Sequence, residues 1–216
     1  RLQGNLLWVN DRSGSDFPFT FGSDTYNALG GHGHSIGSAF GDLDSDGHLD
    51  IFAGNFSHAG QPQSRVLLNQ GPAGNYHFTD LGTSGIHWKE SWSSPVLADF
   101  DNDGMLDVFF SALSSYGNSS SLFRNTGSPG APQFSEVSLP ASVEGYSVSW
   151  ADWDNDGDMD LATGSPNRFF RNDNNNGNSW LKVGLRAPGA QGVNGAAIGA
   201  IARVRAGDLI VTRQVE

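Results

Sequence analysis

Short apolar segments separated by polar, glycine-rich turns recur along the 216 residues of the chain. The segments at 49–53, 106–110 and 159–162 are bounded by Gly, Asn, Ser or Asp residues, a pattern that predicts β-strands. No run of about 10 to 12 residues has the apolar periodicity of a helix. The chain also contains 29 Gly and 9 Pro, which favours turn-rich β structure. We therefore predict an all-β chain.

One acidic pattern, D-x-D-x-D-G-x-x-D, occurs at 42–50, 99–107 and 152–160. The first aspartates of the three copies are 57 and 53 residues apart, and the copies contain thirteen of the 23 acidic residues. An apolar run that ends in Asn recurs in phase with this pattern, with its last residue at Asn10, Asn69, Asn125 and Asn172. A repeat of about 50 to 60 residues is typical of propeller blades.

Each repeat is predicted to contain four strands: one before the acidic loop, one after it, the strand that ends in Asn, and an aromatic strand. Four strands form one blade of a β-propeller. We therefore predict about 3.5 blades, a partial one at 1–22 and three others at 36–85, 93–138 and 146–185. Because propellers typically have four to eight blades, we expect these blades to belong to a larger propeller. Two alternatives remain: predicted C-terminal strands at about 197–205 and 209–215 could join residues 1–22 to close a fourth blade, or open blade edges could pair between subunits.

The acidic loops are predicted to bind metal ions. Like charges ~4 Å apart repel each other by about 1 to 4 kcal/mol per pair near a protein surface, so a cation is expected between the carboxylates. Glycine at position 6 permits a tight turn, and oxygen ligands favour Ca²⁺. An EF-hand would need Glu at position 12 and flanking helices. Position 12 here is Ala53, Phe110 or Thr163, so each loop is predicted to be a hairpin connector.

We predict three calcium sites, each with side-chain ligands at positions 1, 3, 5 and 9 and a carbonyl ligand at position 7. The side-chain ligands are Asp42, Asp44, Asp46 and Asp50; Asp99, Asp101, Asp103 and Asp107; and Asp152, Asp154, Asp156 and Asp160. The carbonyl ligands are those of His48, Met105 and Asp158. Position 4 is expected to point away from the ion, so that a substitution at Asn102 would be nearly silent.

Composition excludes several classes of function. The formal net charge is −11 and the 12 Lys and Arg residues are scattered, which argues against a nucleic-acid partner. The chain has no Cys, which excludes disulfides, thiol catalysis and thiolate metal sites. Its longest stretch without charged, amide or His residues, 108–117, is far shorter than the roughly 20 residues of a membrane span.

The acidic loops and the strand that ends in Asn resemble FG-GAP/VCBS repeats, the calcium-binding blades of integrin α-subunit propellers, over residues 1–185. Residues 186–216 are similar to the start of the ASPIC/UnbV module, which follows such repeats in the cartilage acidic protein family and in many secreted bacterial proteins. The resemblance implies an extracellular protein, secreted or at the cell surface. It implies an adhesive, binding or structural-assembly role with a protein or glycan partner, and no enzymatic activity.

Two other functions remain open on the same propeller. A polysaccharide lyase would need a cationic residue near Tyr or His, for which the candidates are Tyr26, His32, His34 and Lys89. A lectin would stack sugar rings on exposed aromatic side chains, for which the candidates are Trp8, Trp88, Trp92 and Trp180. Asn55 and Asn118 begin N-glycosylation sequons, which matter if the chain is secreted in a glycosylating organism.

Overall fold

The computed structural model describes residues 8–10, 19–21, 34–56, 62–86, 94–112, 120–139, 143–186 and 196–215. Its regular elements are β-strands and one 3₁₀ turn at Pro72–Gly74, which confirms the predicted all-β class. The strands are β1 (Trp8–Asn10), β2 (Phe19–Phe21), β3 (His34–Gly41), β4 (Asp50–Phe56), β5 (Arg65–Asn69), β6 (Phe78–Asp80), β7 (Val96–Ala98), β8 (Asp107–Phe110), β9 (Ser121–Asn125), β10 (Phe134–Val137), β11 (Ser147–Ala151), β12 (Asp160–Gly164), β13 (Arg168–Phe170), β14 (Ile201–Ala206) and β15 (Leu209–Gln214).

Two antiparallel sheets have the four-stranded order of propeller blades, β3-β4-β5-β6 and β7-β8-β9-β10. In each, the acidic loop joins the first two strands, and the last ligand position pairs with the residue before the loop: Asp50 with Gly41 and Asp107 with Ala98. The acidic loops are therefore hairpin connectors, as the sequence predicts. Among the described strands the sheets do not close into a ring.

The third sheet contains three described strands, β11-β12-β13, where four are expected from the repeat. Residues 171–186 follow β13 without forming a strand. This segment is rich in Asn, and its amides bond to an acidic loop instead of a strand: the side chains of Asn176 and Asn178 both donate to the carbonyl of Asp101, the latter at 3.1 Å. Because these amides already have hydrogen-bond partners on the loop, the segment does not pair with β13 as a fourth strand.

The hydrophobic core lies between consecutive sheets, because the side chains of the middle sheet alternate between two neighbours. Val108 and Phe110 of β8 pack with Phe52 of the first sheet, and the Phe52 and Phe110 rings meet edge to face at 5.5 Å. Phe109 points the other way and packs with Leu161 of the third sheet. β8 is consequently buried on both faces.

The outer face of the third sheet is exposed. Trp153 and Phe169 are 58% and 51% exposed, and their rings meet edge to face at 5.3 Å. Trp153 occupies loop position 2, whose counterparts Leu43 and Phe100 both pack into the cores between sheets. Trp153 thus lies where a further sheet would cover it in the stacking pattern of the first two repeats.

The C-terminal hairpin of β14 and β15 rests on the first two acidic loops. Arg213 Nη2 lies 3.6 Å from Asp99 Oδ2, and Arg203 donates to the carbonyl of Gly47. A Cβ at Gly104 would lie 2.4 Å from Leu209 Cδ2, so the hairpin packs directly against the second loop. Its assignment to an ASPIC/UnbV module stays a prediction.

Candidate metal centres

The three acidic loops each bring three carboxylates together. In every group, one oxygen from each residue lies within 4.8 Å of the others. The groups are Asp42, Asp44 and Asp50; Asp99, Asp101 and Asp107; and Asp152, Asp154 and Asp156. Residues separated by up to eight positions in the first two loops, and by up to four in the third, therefore converge on one point.

In the first two loops the aspartate at position 1 shapes the loop by accepting two backbone N–H groups. In the first loop Asp42 Oδ1 accepts from Asp46 N at 3.1 Å and Asp42 Oδ2 from Gly47 N at 3.1 Å. The second loop repeats these bonds from Asp103 N and Gly104 N to Asp99, at 3.0 and 2.9 Å. Position 6 adopts φ of 93° to 95° in all three loops, a conformation that glycine adopts without the steric cost that other residues incur.

The aspartate at position 9 ties each loop to the strand that ends in Asn. Asp50 Oδ2 accepts from Leu43 N at 2.7 Å, and Asp50 Oδ1 accepts from Asn69 N at 2.8 Å. Asp107 makes the same two bonds, with Phe100 N at 3.0 Å and Asn125 N at 2.7 Å. The loop and the third strand of each repeat are therefore held by one carboxylate.

Some of the predicted ligands lie outside the three groups. Asp46 and Asp103 at position 5 and Asp160 at position 9 are not among the converging carboxylates. The side chain of Asp158 accepts from Asn102 Nδ2 at 2.8 Å and from Asn174 N at 2.6 Å. The carbonyls of His48, Met105 and Asp158, like the full set of ligands, stay predictions.

Burial makes the ionisation of these carboxylates unfavourable unless a positive charge lies nearby. It raises the pKa of both Asp50 and Asp107 to about 8, against the opposing effect of their N–H bonds. Burial, followed by the charge of Asp46, raises the pKa of Asp44 to about 6. Burial also raises the pKa of Asp99 to about 6, although the Arg213 guanidinium acts in the opposite direction. A bound cation would remove the cost of ionising these groups.

Two buried carboxylate oxygens lack hydrogen bonds in the described part of the chain. Asp101 Oδ1 and Asp152 Oδ1 have no partner, and Asp101 is only 7% exposed. An unpaired buried carboxylate oxygen is costly, and both belong to the converging groups. Hard, oxygen-binding cations fit this donor set, and Ca²⁺ in particular accepts six to eight oxygens in flexible geometry.

Arginines at one repeat position neutralise part of the second and third loops. Arg124 Nε lies 2.6 Å from Asp101 Oδ2, and Arg171 Nε lies 3.2 Å from Asp154 Oδ2. Leu68 occupies the same position in the first repeat and is buried in the core. The sequence pattern does not predict these contacts. A signal for them exists, because each arginine directly precedes the Asn that ends the third strand of its repeat.

The structure describes few of the residues suggested for a lyase site or for glycosylation. Tyr26, His32 and Lys89 lie outside the described residues, and of His34 only its backbone position in β3 is described. Asn55 is 2% exposed, and its amide donates to the carbonyl of Gln63 at 2.9 Å, so the folded chain does not offer it for glycosylation. Asn118 lies outside the described residues.

The lectin candidates are largely outside the described side chains. Trp88 and Trp92 lie outside the described residues, and nothing of the Trp8 side chain is described. Trp180 is 48% exposed. Its indole covers Gly157 of the third loop, where an added Cβ would lie 2.1 Å from the indole nitrogen. Trp180 therefore has a packing role on the loop as well as an exposed surface.

Comparison with known proteins finds the FG-GAP-like repeat over residues 42–110 and 109–163. The chain is 29% identical over 162 residues to cartilage acidic protein 1 of Xenopus tropicalis, covering 69% of this chain and 24% of that protein. The Mus musculus and Homo sapiens proteins of that name are each 29% identical over 164 residues, or 70% of this chain. The chain spans about a quarter of the length of these relatives. The described residues include no helix of sufficient length and apolarity to span a membrane.

Proposed function

The chain belongs to the FG-GAP-like repeat family, and from this premise we propose that it is a calcium-binding propeller segment that works outside the cell in binding or assembly. The convergence of three carboxylates in every acidic loop carries this proposal. The buried, unpaired Asp101 Oδ1 supports it, because a cation is the partner that a carboxylate oxygen surrounded by other carboxylates can accept. Calcium supplies charge neutralisation at each loop, and the chain's own carboxylates hold it.

The proposed extracellular location is supported by the names of the relatives and by the acidic composition of the chain. Extracellular calcium modules bind with dissociation constants of roughly 10⁻⁴ to 10⁻³ M. The relatives are named as acidic proteins of cartilage, and this chain has a net charge of −11. We propose a matrix or cell-surface setting, with a protein or glycan partner. The role is structural, and no catalytic activity is assigned.

Self-association is a second candidate role, favoured by the third sheet. Its outer face presents Trp153 and Phe169 to solvent, and β13 pairs with β12 on one side within the described strands. Exposed apolar faces and open strand edges favour association with another chain. A second copy of this chain or another repeat of the same kind would bury both features.

Calorimetric titration with calcium tests the metal assignment. We expect about three ions per chain for the natural sequence and about two for Asp101→Ala, which removes both the charge and the ligand oxygens of position 3 from the second loop. Asp80→Ala is the matched control, because Asp80 pairs with Arg65 on the surface at 2.8 Å. Fewer than one ion per chain at millimolar calcium, or three ions in the Asp101→Ala variant, would contradict the proposal.

A further inference from the structure

The Asn that ends the third strand of each repeat occupies the same place in its own sheet. Its backbone N–H donates to the position-9 aspartate in all three repeats, at 2.8 Å from Asn69, 2.7 Å from Asn125 and 2.8 Å from Asn172. Its side-chain amide donates to the carbonyl at position 8 of the same loop, at 3.1, 3.4 and 3.3 Å respectively. Asn69, Asn125 and Asn172 therefore make the same two bonds, each within its own repeat.

Two of these residues also reach the acidic loop of the preceding repeat. Asn125 Nδ2 donates to the carbonyl of Leu43 at 2.9 Å, and Asn172 Nδ2 donates to the carbonyl of Phe100 at 2.7 Å. Asn125 is only 1% exposed, so water does not compete for this bond. Asn69 makes no such bond within the described part of the chain, since its amide donates to Leu49 alone.

The carbonyl that receives each bond lies between two carboxylates of a converging group. Leu43 is flanked by Asp42 and Asp44, and its own N–H donates to Asp50 Oδ2. Fixing the Leu43 peptide therefore restrains three aspartates of the first loop. The same Asn125 restrains Asp107 of the second loop through its backbone N–H.

A second set of bonds joins position 4 of one loop to position 7 of the next. Asn102 Nδ2 donates to Asp158 Oδ1 at 2.8 Å and to the carbonyl of Gly157 at 3.2 Å. Between the first two loops, the Ser45 hydroxyl donates to Met105 Sδ at 3.1 Å. Consecutive loops are thus in direct contact at two repeated positions.

We propose that Asn125 and Asn172 are coupling residues that make the three loops bind calcium cooperatively. This inference rests on the proposed calcium function. An ion in the second loop fixes Asp107, and the attached Asn125 then holds the first loop in its binding conformation. Asp160 lies outside the converging group of the third loop, so Asn172 couples the second and third loops through its bond to the carbonyl of Phe100, between Asp99 and Asp101. The second ion meets a loop that is already ordered, which is positive cooperativity without a change of fold. Couplings of this kind typically change affinity by about 5- to 150-fold.

The test is a calcium titration followed by NMR of the amides of Gly47, Gly104 and Gly157, one in each loop. Asp101→Ala removes a ligand from the second loop and needs no change at the coupling residues. We expect it to weaken calcium binding at Gly47 and Gly157 by about tenfold, within the usual range of such couplings. The Asp80→Ala control should leave both unchanged.

A matched pair of variants then assigns the coupling to the inter-repeat bond. Asn125→Ala removes the bond to Leu43, whereas Asn69→Ala removes the equivalent side chain without an inter-repeat bond among the described residues. We expect Asn125→Ala to abolish the effect of the second loop on Gly47 and Asn69→Ala to retain it. Amide hydrogen exchange of the calcium-free proteins provides a readout without metal, with faster exchange around Leu43 in Asn125→Ala.

Three outcomes overturn the proposal, and they are distinguishable. If calcium shifts none of the three glycine amides, the calcium function fails and the coupling fails with it. If the amides shift but Asp101→Ala leaves the other two loops unchanged, the calcium function stands and the coupling is wrong. If Asn69→Ala and Asn125→Ala act alike, the coupling does not pass through the bond to Leu43.

Discussion

Acidification should stabilise the calcium-free protein and destabilise the calcium-loaded protein. The folded-state pKa of Asp50 and of Asp107 is about 8, against an ordinary value of 3.8. A pKa raised in the folded state contributes stability that is complete below pH 3.8 and is lost as the pH rises to about 8. With calcium bound the direction reverses, because protons compete with the ion for the same carboxylates.

The size of the effect follows from proton counting. Between these pKa values the folded state binds one more proton per group, so the free energy of unfolding falls by about 1.4 kcal/mol per group for each pH unit of increase. Two such groups give about 3 kcal/mol per pH unit. For a chain of this size this corresponds to a change in melting temperature of roughly 5 to 11 °C per pH unit.

Thermal melts by circular dichroism between pH 6 and pH 8, in chelator and in millimolar calcium, measure both branches. Asp107→Asn removes one of the two titrating groups, so in chelator its melting temperature should change with pH about half as steeply as that of the natural chain, and in calcium it should melt lower. The surface variant Asp80→Asn should follow the natural chain in both. A calcium-free melting temperature that is constant or rises with pH would refute the reasoning.

Three further predictions concern calcium, a glycine and the open face of the third sheet. Calcium at 100 times its dissociation constant should stabilise the chain by about 2.7 kcal/mol per site, and an unchanged melt on chelation at pH 8 would contradict this. Gly104→Ala should cost about 1 to 3 kcal/mol by chemical denaturation, because φ is +93° and Leu209 blocks the Cβ. Gly130→Ala should cost less, because φ is +81° there but nothing lies within 4 Å of the added Cβ, so only the backbone conformation is unfavourable. Combined Trp153→Ser and Phe169→Ser should abolish concentration-dependent self-association in sedimentation, and the exposed-residue control Tyr76→Ser should not.

The loops and strands that depend on local spacing could be predicted from the sequence. The alternation of aspartates and the glycine at position 6 encode a loop that closes on itself, and Asp50 and Asp107 begin a strand as expected. The four-strand count holds in the first two sheets because each strand carries its own apolar pattern. These features need no information from residues more than about 25 positions away.

The contacts between repeats could not be predicted, because they depend on how the sheets stack. The sequence predicts that Asn102 points away from the ion but does not indicate that its amide joins the second loop to the third. Arg213 is 114 residues from Asp99 in the sequence, and nothing in the spacing indicates their contact. The predicted fourth strand of the third repeat does not form for the same reason. The side-chain amides of Asn176 and Asn178 bond to the carbonyl of Asp101 in the second loop.

The direction of the Asn bonds gives the array two unlike ends. Each loop is braced by the repeat that follows it, so the first and second loops are braced, whereas the carbonyl of Trp153 in the third loop receives no bond from the described residues. A linear stack with nearest-neighbour terms frays from its unsupported end. Unfolding should therefore begin at the third repeat and travel toward the first, so that hydrogen-exchange protection falls from Gly47 through Gly104 to Gly157. A further repeat packed beside Trp153 would then slow amide hydrogen exchange in all three repeats.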